Sequence, residues 1–194
     1  MKNDETKAFF GEGIEHHIDA MYSVALRLTR NSADAEDLVA EAVAKAWGSI
    51  HSLNDRARFR PWLFRILHNA FVSDYRKKSI RPAETSLDDN DEEDIAGFLN
   101  EQSDDFLIWW SNPERTFFND LLGDQLLAAV DDLPEAFRTV VVLVNVEGFT
   151  YDETAEVLGI APGTVRSRMK RGRTLLQKAL WEQRPVSEGN QHET

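Results

Sequence analysis

Apolar residues recur at three- and four-residue steps through most of this chain, the period of a helix with one buried side. Ile14, Ile18, Met21, Ala25 and Leu28 form the first such stripe, and Asn31-Ser32 interrupts it. The second runs through Leu38, Val39, Ala42, Val43, Ala46, Trp47 and Ile50. Its helix opens at SADAED, where Asp34, Glu36 and Asp37 load the first turn and favour the helix dipole. The polar run up to Arg60 reads as a loop, and Pro61 suits the start of a third helix. That helix has a broad buried stripe of Trp62, Leu63, Ile66, Leu67, Ala70 and Phe71, which Arg65, His68, Asn69, Arg76 and Lys77 leave. The pattern resumes at Phe117, Leu121, Leu122, Leu126, Leu127 and Val130. The run from Val140 to Val146 is β-branched enough for a strand. Pro134-Glu135 marks a helix start, however, and no other strand exists to pair with it, so a buried helix is expected.

From Gly148 to Arg173 the pattern tightens into two short helices joined by a turn. Thr150 and Glu153 form a T-x-x-E capping box, in which hydroxyl and carboxylate satisfy the unpaired amides of a helix start. Ala155 and Leu158 give this helix an apolar face, and Gly159 stands where a left-handed residue is needed just past its end. Ile160 plugs the turn and Pro162 fits the first position of the next helix. Val165, Met169 and Leu176 then fall on one side of that helix, and Ser167, Lys170, Arg171 and Thr174 on the other. Thr164, Arg166, Arg168 and Arg173 lie around the rim. No Asp or Glu occurs from Ile160 to Trp181. An acid-free helix after such a turn fits a DNA-binding helix-turn-helix better than a merely solvated hairpin.

Charge changes the picture again. The chain carries a formal net charge of −12, which by itself argues against nucleic acid. The charge is segregated, though. Arg56, Arg58, Arg60, Arg65, Arg76, Lys77, Lys78 and Arg81 form one basic block and the Arg166–Lys178 helix another. Between them, from Pro82 to Glu114, there is no Lys or Arg. The connector is dense in acid at SLDDNDEED, a composition that reads as mobile, and Phe98, Leu99, Phe106, Leu107, Ile108, Trp109 and Trp110 interrupt it, as a segment that docks onto the chain's own domains or another protein would. The expected architecture is all-α, with helical domains at 8–81 and 115–182, an acidic linker at 82–114 and a disordered tail at 183–194.

Composition narrows the chemistry. Without cysteine there are no disulfides, iron–sulfur clusters or thiol catalysis, which fits a reducing compartment. The adjacent His16 and His17 point apart on a helix and have no HExxH partner, so neither metal nor cofactor is expected. No serine–histidine–aspartate set or phosphate loop marks an enzyme. No apolar run approaches a bilayer's thickness and MKNDETKAFF lacks a signal h-region, so a cytoplasmic chain without membrane insertion is expected.

Two segments resemble one family. RNSADAEDLVAEAVAKAW followed by FRPWLFRILHNAFVSDYRKK is similar to sigma region 2, and LPEAFRTVVVLVNVEGFTYDETAEVLGIAPGTVRSRMKRGRTLLQKAL to sigma region 4. In this order they resemble a sigma-70 family factor of the extracytoplasmic function (ECF) group, and at this length the further domains of larger sigma factors are not expected. The resemblance implies a dissociable specificity subunit of bacterial RNA polymerase core, commonly held inactive by an anti-sigma protein. It implies that Asp34, Asp37 and Glu41 meet core polymerase. It places Arg60, Arg65, Asn69, Arg76 and Lys77 where the −10 element is captured and melted. Thr164, Arg166, Ser167, Lys170, Arg171 and Thr174 match the helix that reads the −35 element. Ala161 departs from the family's usual Ser or Thr, forgoing a cap oxygen worth about 1 kcal/mol. A helix-turn-helix activator of another class is the alternative, and it would carry a receiver or ligand domain in place of the region 2 pattern.

Overall fold

Asn31 turns the chain from its first helix into its second. α1 (Lys2–Thr29) ends where Arg30 takes the left-handed conformation, φ 57°, and donates its amide to the Leu26 carbonyl at 2.7 Å. The Asn31 side chain then accepts the Asp34 amide at 3.1 Å, capping α2 (Ser32–Ser49). Two single 3₁₀ turns, Ile50–Ser52 and Arg56–Arg58, carry the chain to α3 (Phe59–Lys78). The third helix thus starts two residues before Pro61, which sits buried in its first turn. The computed structural model describes residues 2–78 and 126–182; the acidic connector with Trp109 and Trp110, residues 115–125 and the tail at 183–194 lie outside the described residues.

Among the described residues the second unit has four α-helices: α4 (126–132), α5 (Glu135–Val141), α6 (Tyr151–Leu158) and α7 (Pro162–Glu182). Among the described residues there is no strand. The β-branched run after Val141 is a wide helical turn, Val142–Val146, closed by the Glu147 amide on the Val142 carbonyl at 3.0 Å. A one-residue-longer ring than the α-helix's explains why this run, helical as expected, breaks the α period. Gly148, at φ 70°, redirects the chain into the capping box, and Gly159, at φ 66°, ends α6.

Met21, Ala25, Leu38, Ala42, Leu63 and Leu67 close the core of the first unit. Gly13 admits the Phe59 ring, since a Cβ there would stand 2.5 Å from a ring carbon. Two residues of the expected stripes face outward: Ile18 is 40% exposed, and Trp47, 43% exposed, only edges onto the Phe10 ring. Val140, Leu143, Val157, Val165, Met169 and Leu176 close the second core. The two cores meet. Phe64 of α3 and Phe149, just before α6, pack edge to face at 5.0 Å, so α3 lies against α6. At the other end of this seam Arg27 of α1 pairs with the Asp131 carboxylate at 2.9 Å, and Arg30 donates to the Asp131 carbonyl.

Candidate nucleic-acid and polymerase interfaces

The capping box forms as its spacing requires. The Glu153 amide donates to the Thr150 hydroxyl at 3.2 Å, and the Glu153 carboxylate accepts the Thr150 amide at 2.9 Å. That backbone hydrogen bond is the main cause holding the Glu153 carboxyl below the usual carboxylate range. A box closed on both sides fixes where α6 begins, and Gly159 fixes where it ends, so the angle to α7 is set locally. The Ala161 carbonyl accepts the Thr164 and Val165 amides, so α7 starts on backbone hydrogen bonds without a side-chain oxygen at Ala161.

Val165, Met169 and Leu176 are buried, which turns Arg166, Ser167 and Lys170 outward into solvent. Thr164 and Arg171 are half-buried at the edges of that face. Thr174, expected beside them, is instead 4% exposed. Its hydroxyl donates to the Lys170 carbonyl at 3.1 Å, so it belongs to the packed side. The reason lies in the neighbours: α7 is packed along its later turns by α5, and Gly172 there comes so close that a Cβ would stand 2.9 Å from Val141. A helix end covered on this side has a wider buried arc than its own apolar stripe shows. What remains is a compact cationic face able to neutralise phosphates and to hydrogen-bond base edges.

On α2, Asp34, Asp37 and Glu41 are all exposed, because Ala35, Leu38, Val39, Ala42 and Ala46 take the opposite side. Glu41 holds Lys45 at 2.6 Å one turn on. The result is an acidic ridge suited to a basic protein surface.

The third group is divided. Arg65 and Asn69 are exposed on α3 as expected, while the side chains of Arg76 and Lys77, in its last turn, lie outside the described residues. Arg60 is not free. Its guanidinium donates to the Glu147 carbonyl, lies 3.9 Å from the Glu147 carboxylate, and sits 4.1 Å from the Phe149 ring centroid. Burial raises the Glu147 carboxyl above its ordinary range, and Arg60 opposes that rise. His68, also expected to leave the stripe, is packed under the second unit. Burial, and then repulsion from Arg168 of α7, depress its pKa to about 4, and its Nδ1 has no hydrogen-bond partner. Arg58 completes the seam with an ion pair to Glu156 of α6. Periodicity had assigned none of Glu147, Phe149 or Glu156 a role; an aromatic directly before a helix cap was the one local sign that this corner packs against something.

Among the described residues no group of three or more His, Cys, Asp or Glu could hold a metal ion, and no helix is long and apolar enough to cross a membrane.

The chain matches known families and proteins over most of its length. Sigma-70 region 2 matches residues 14–80 and sigma-70 region 4 matches residues 123–176. The chain is 36% identical over 169 residues to the ECF RNA polymerase sigma factor SigE of Mycolicibacterium smegmatis, covering 87% of this chain and 60% of that protein. It thus spans less than two thirds of that relative's length. It is 32% identical over 164 residues to the ECF RNA polymerase sigma factor EcfG of Rhodopseudomonas palustris, covering 84% of this chain and 81% of the relative. Among solved structures, the sigma factor RpoE of Bartonella quintana, in complex with the anti-sigma factor NepR, superposes with a TM-score of 0.61 at 25% identity. That match covers 90% of this chain and 98% of the other. The order of the two matched regions, the acidic ridge on α2 and the cationic face on α7 agree on one assignment: the chain belongs to the sigma-70 family, in its ECF group.

Proposed function

We propose that this chain is a promoter-specificity subunit: it binds core RNA polymerase, reads the −35 element and melts the −10 element. In this reading Asp34, Asp37 and Glu41 engage core. Arg60, Arg65 and Asn69, with Arg76 and Lys77, handle the −10 strand, where an exposed amide such as Asn69 can read an unstacked base. Thr164, Arg166, Ser167, Lys170 and Arg171 enter the major groove at the −35 element, and Thr174 supports them from inside the helix packing. The working units are 8–81 and 115–182, with 82–114 as the acidic link and 183–194 as the tail. The specificity is non-covalent, so the chain supplies recognition while the polymerase supplies catalysis. Its workplace is the cytoplasm, where core and promoters are, and an anti-sigma protein of the kind bound to the Bartonella relative is the expected regulator.

One observation carries the reading: a single chain presents an outward-facing second helix of a helix-turn-helix with no acid up to Trp181 and, on a separate helix, an exposed acidic ridge. Those are the two surfaces needed to join a duplex to a basic protein partner. The test is reconstitution with core. Wild-type chain added to core should initiate from duplex promoter DNA. The pair Asp37→Lys and Glu41→Lys should abolish co-purification with core while leaving the thermal unfolding midpoint within a few degrees. Normal co-purification of the double variant would return the ridge to plain solvent exposure.

A further inference from the structure

Three arginines alternate through the turn that leads into α3, and the structure holds them differently. Arg58 pairs with Glu156 and Arg60 is held by Glu147, both residues of the second unit. Arg56 is exposed, and its guanidinium lies over the Phe9 ring, 4.6 Å from the centroid. Phe9 belongs to the N-terminal turns of α1, ahead of the stretch that matches sigma-70 region 2. Those turns grip the start of α3 through aromatic contacts. Phe9 and Phe59 pack edge to face at 5.2 Å, and Phe10 meets Phe59 at 6.1 Å and Trp47 at 5.1 Å.

The turn that carries Arg56 is fixed as well. The Ala57 amide donates to the Asp55 carboxylate at 2.9 Å, and the Arg58 amide donates to the Asp55 carbonyl at 3.0 Å. An arginine loses rotamer freedom when it binds, and a ring beneath it removes part of that cost in advance. Stacking also leaves the N–H edge of the planar guanidinium turned outward for a phosphate. The position suits the −10 strand. Trp62, Arg65 and Asn69 share one face of α3 at steps of three and four residues. Trp62 tilts onto Phe59 at 5.7 Å, Phe59 meets Phe9, and Phe9 carries Arg56. The cation therefore stands beyond the N-terminal end of the row that runs back along α3 from Asn69.

We infer that Arg56 is a further phosphate contact for the melted −10 strand and that Phe9 is the residue which positions it. The inference rests on the promoter-specificity reading above. It adds a contact in two parts, the cation from the turn before α3 and its support from the N-terminal turns of α1.

The test uses holoenzyme assembled from the full chain and core. The probe is a fork-junction DNA with a single-stranded −10 element, taken from a promoter on which that holoenzyme initiates. Arg56→Ala should lower affinity about five- to tenfold and make the slope of log K against log salt shallower by about 0.7, the share of one single-strand phosphate. Arg56→Lys should restore the slope but only part of the affinity, since an ammonium keeps the charge and not the planar stack. Phe9→Leu should weaken binding about threefold at unchanged slope, and Phe9→Tyr should match the parent. Once Arg56 is alanine, Phe9→Leu should add nothing. Lys7, exposed two residues from Phe9 and so on the far side of α1, is the control: Lys7→Ala should leave affinity and slope as they are. Parental affinity and slope in Arg56→Ala overturn the inference. An equal loss in Lys7→Ala overturns it too, because Arg56 would then be one surface cation among others. A Phe9→Leu loss that persists in the Arg56→Ala background overturns the positioning role of Phe9. If the wild-type chain gives core no promoter-directed initiation, the promoter-specificity reading fails, and this contact with it.

Discussion

Arg138 is 5% exposed, a charge placed where charge is costly. Its guanidinium donates to the Asp131 carbonyl at 2.9 Å and the Leu133 carbonyl at 3.3 Å, groups that the end of α4 leaves without helical partners. Burial, with Arg30 nearby, draws its pKa below the ordinary guanidinium range, and Glu135 and Asp131 partly offset this. Asp131 is therefore a hub, taking Arg27 on its carboxylate and both Arg30 and Arg138 on its carbonyl. Arg138→Met keeps most of the buried stem but strands those carbonyls. It should destabilise the chain by about 2–3 kcal/mol, read as a lower urea midpoint at unchanged slope. A loss under 0.5 kcal/mol would mean that water replaces the guanidinium without cost. Nothing in the residue order foretells this: Arg138 reads as one more polar position between Phe137 and Val140, and only packing against α4 makes it internal.

At the scale of elements, close approach of α7 to α5 decides the second unit. In an open helix Gly→Ala gains up to about 1 kcal/mol from backbone entropy. At Gly172 the new methyl would stand 2.9 Å from Val141 Cγ2 and 3.5 Å from Phe137 Cβ, both in the packed interior. Overpacking costs about 1–3 kcal/mol, so Gly172→Ala should lower stability by about 1 kcal/mol net. Gly11→Ala in α1, with nothing within 4 Å, should raise it by a similar amount. Thermal unfolding of both variants checks the pair, and a stabilised Gly172→Ala would show that α7 can shift freely. Much of this level was legible. The Thr150–Glu153 box, the left-handed Gly159 and the buried trio of Val165, Met169 and Leu176 depend on local geometry, which spacing encodes. The wide turn at Val142–Val146 was not legible, nor was the burial of Thr174, which arises where α5 packs along α7.

For the whole molecule, the seam between units is what the pattern could not show. Arg60, Glu147, Glu156 and His68 are polar residues that each have a charged group of the other unit as neighbour. That gives docking a pH dependence whose sign follows from two opposed groups. His68 has its pKa lowered to about 4 from 6.5, so the open chain binds more protons than the docked one between those values, and docking weakens as pH falls. Glu147 is shifted upward by burial, so its protonation favours docking as pH falls, in a window starting above the ordinary carboxylate range. The two oppose, and size decides. The His68 shift amounts to roughly 2 kcal/mol between pH 7.5 and 5 at 1.36 kcal/mol per unit, whereas Glu147 carries the smaller displacement and keeps Arg60 opposing it. Docking should therefore loosen at pH 5, seen as falling energy transfer between dyes on Ala44→Cys in α2 and Lys178→Cys in α7. His68→Asn in the same labelled chain should flatten that response while keeping transfer high at pH 7.5. An equally steep acid response in the Asn variant would move the proton linkage to another group of the seam.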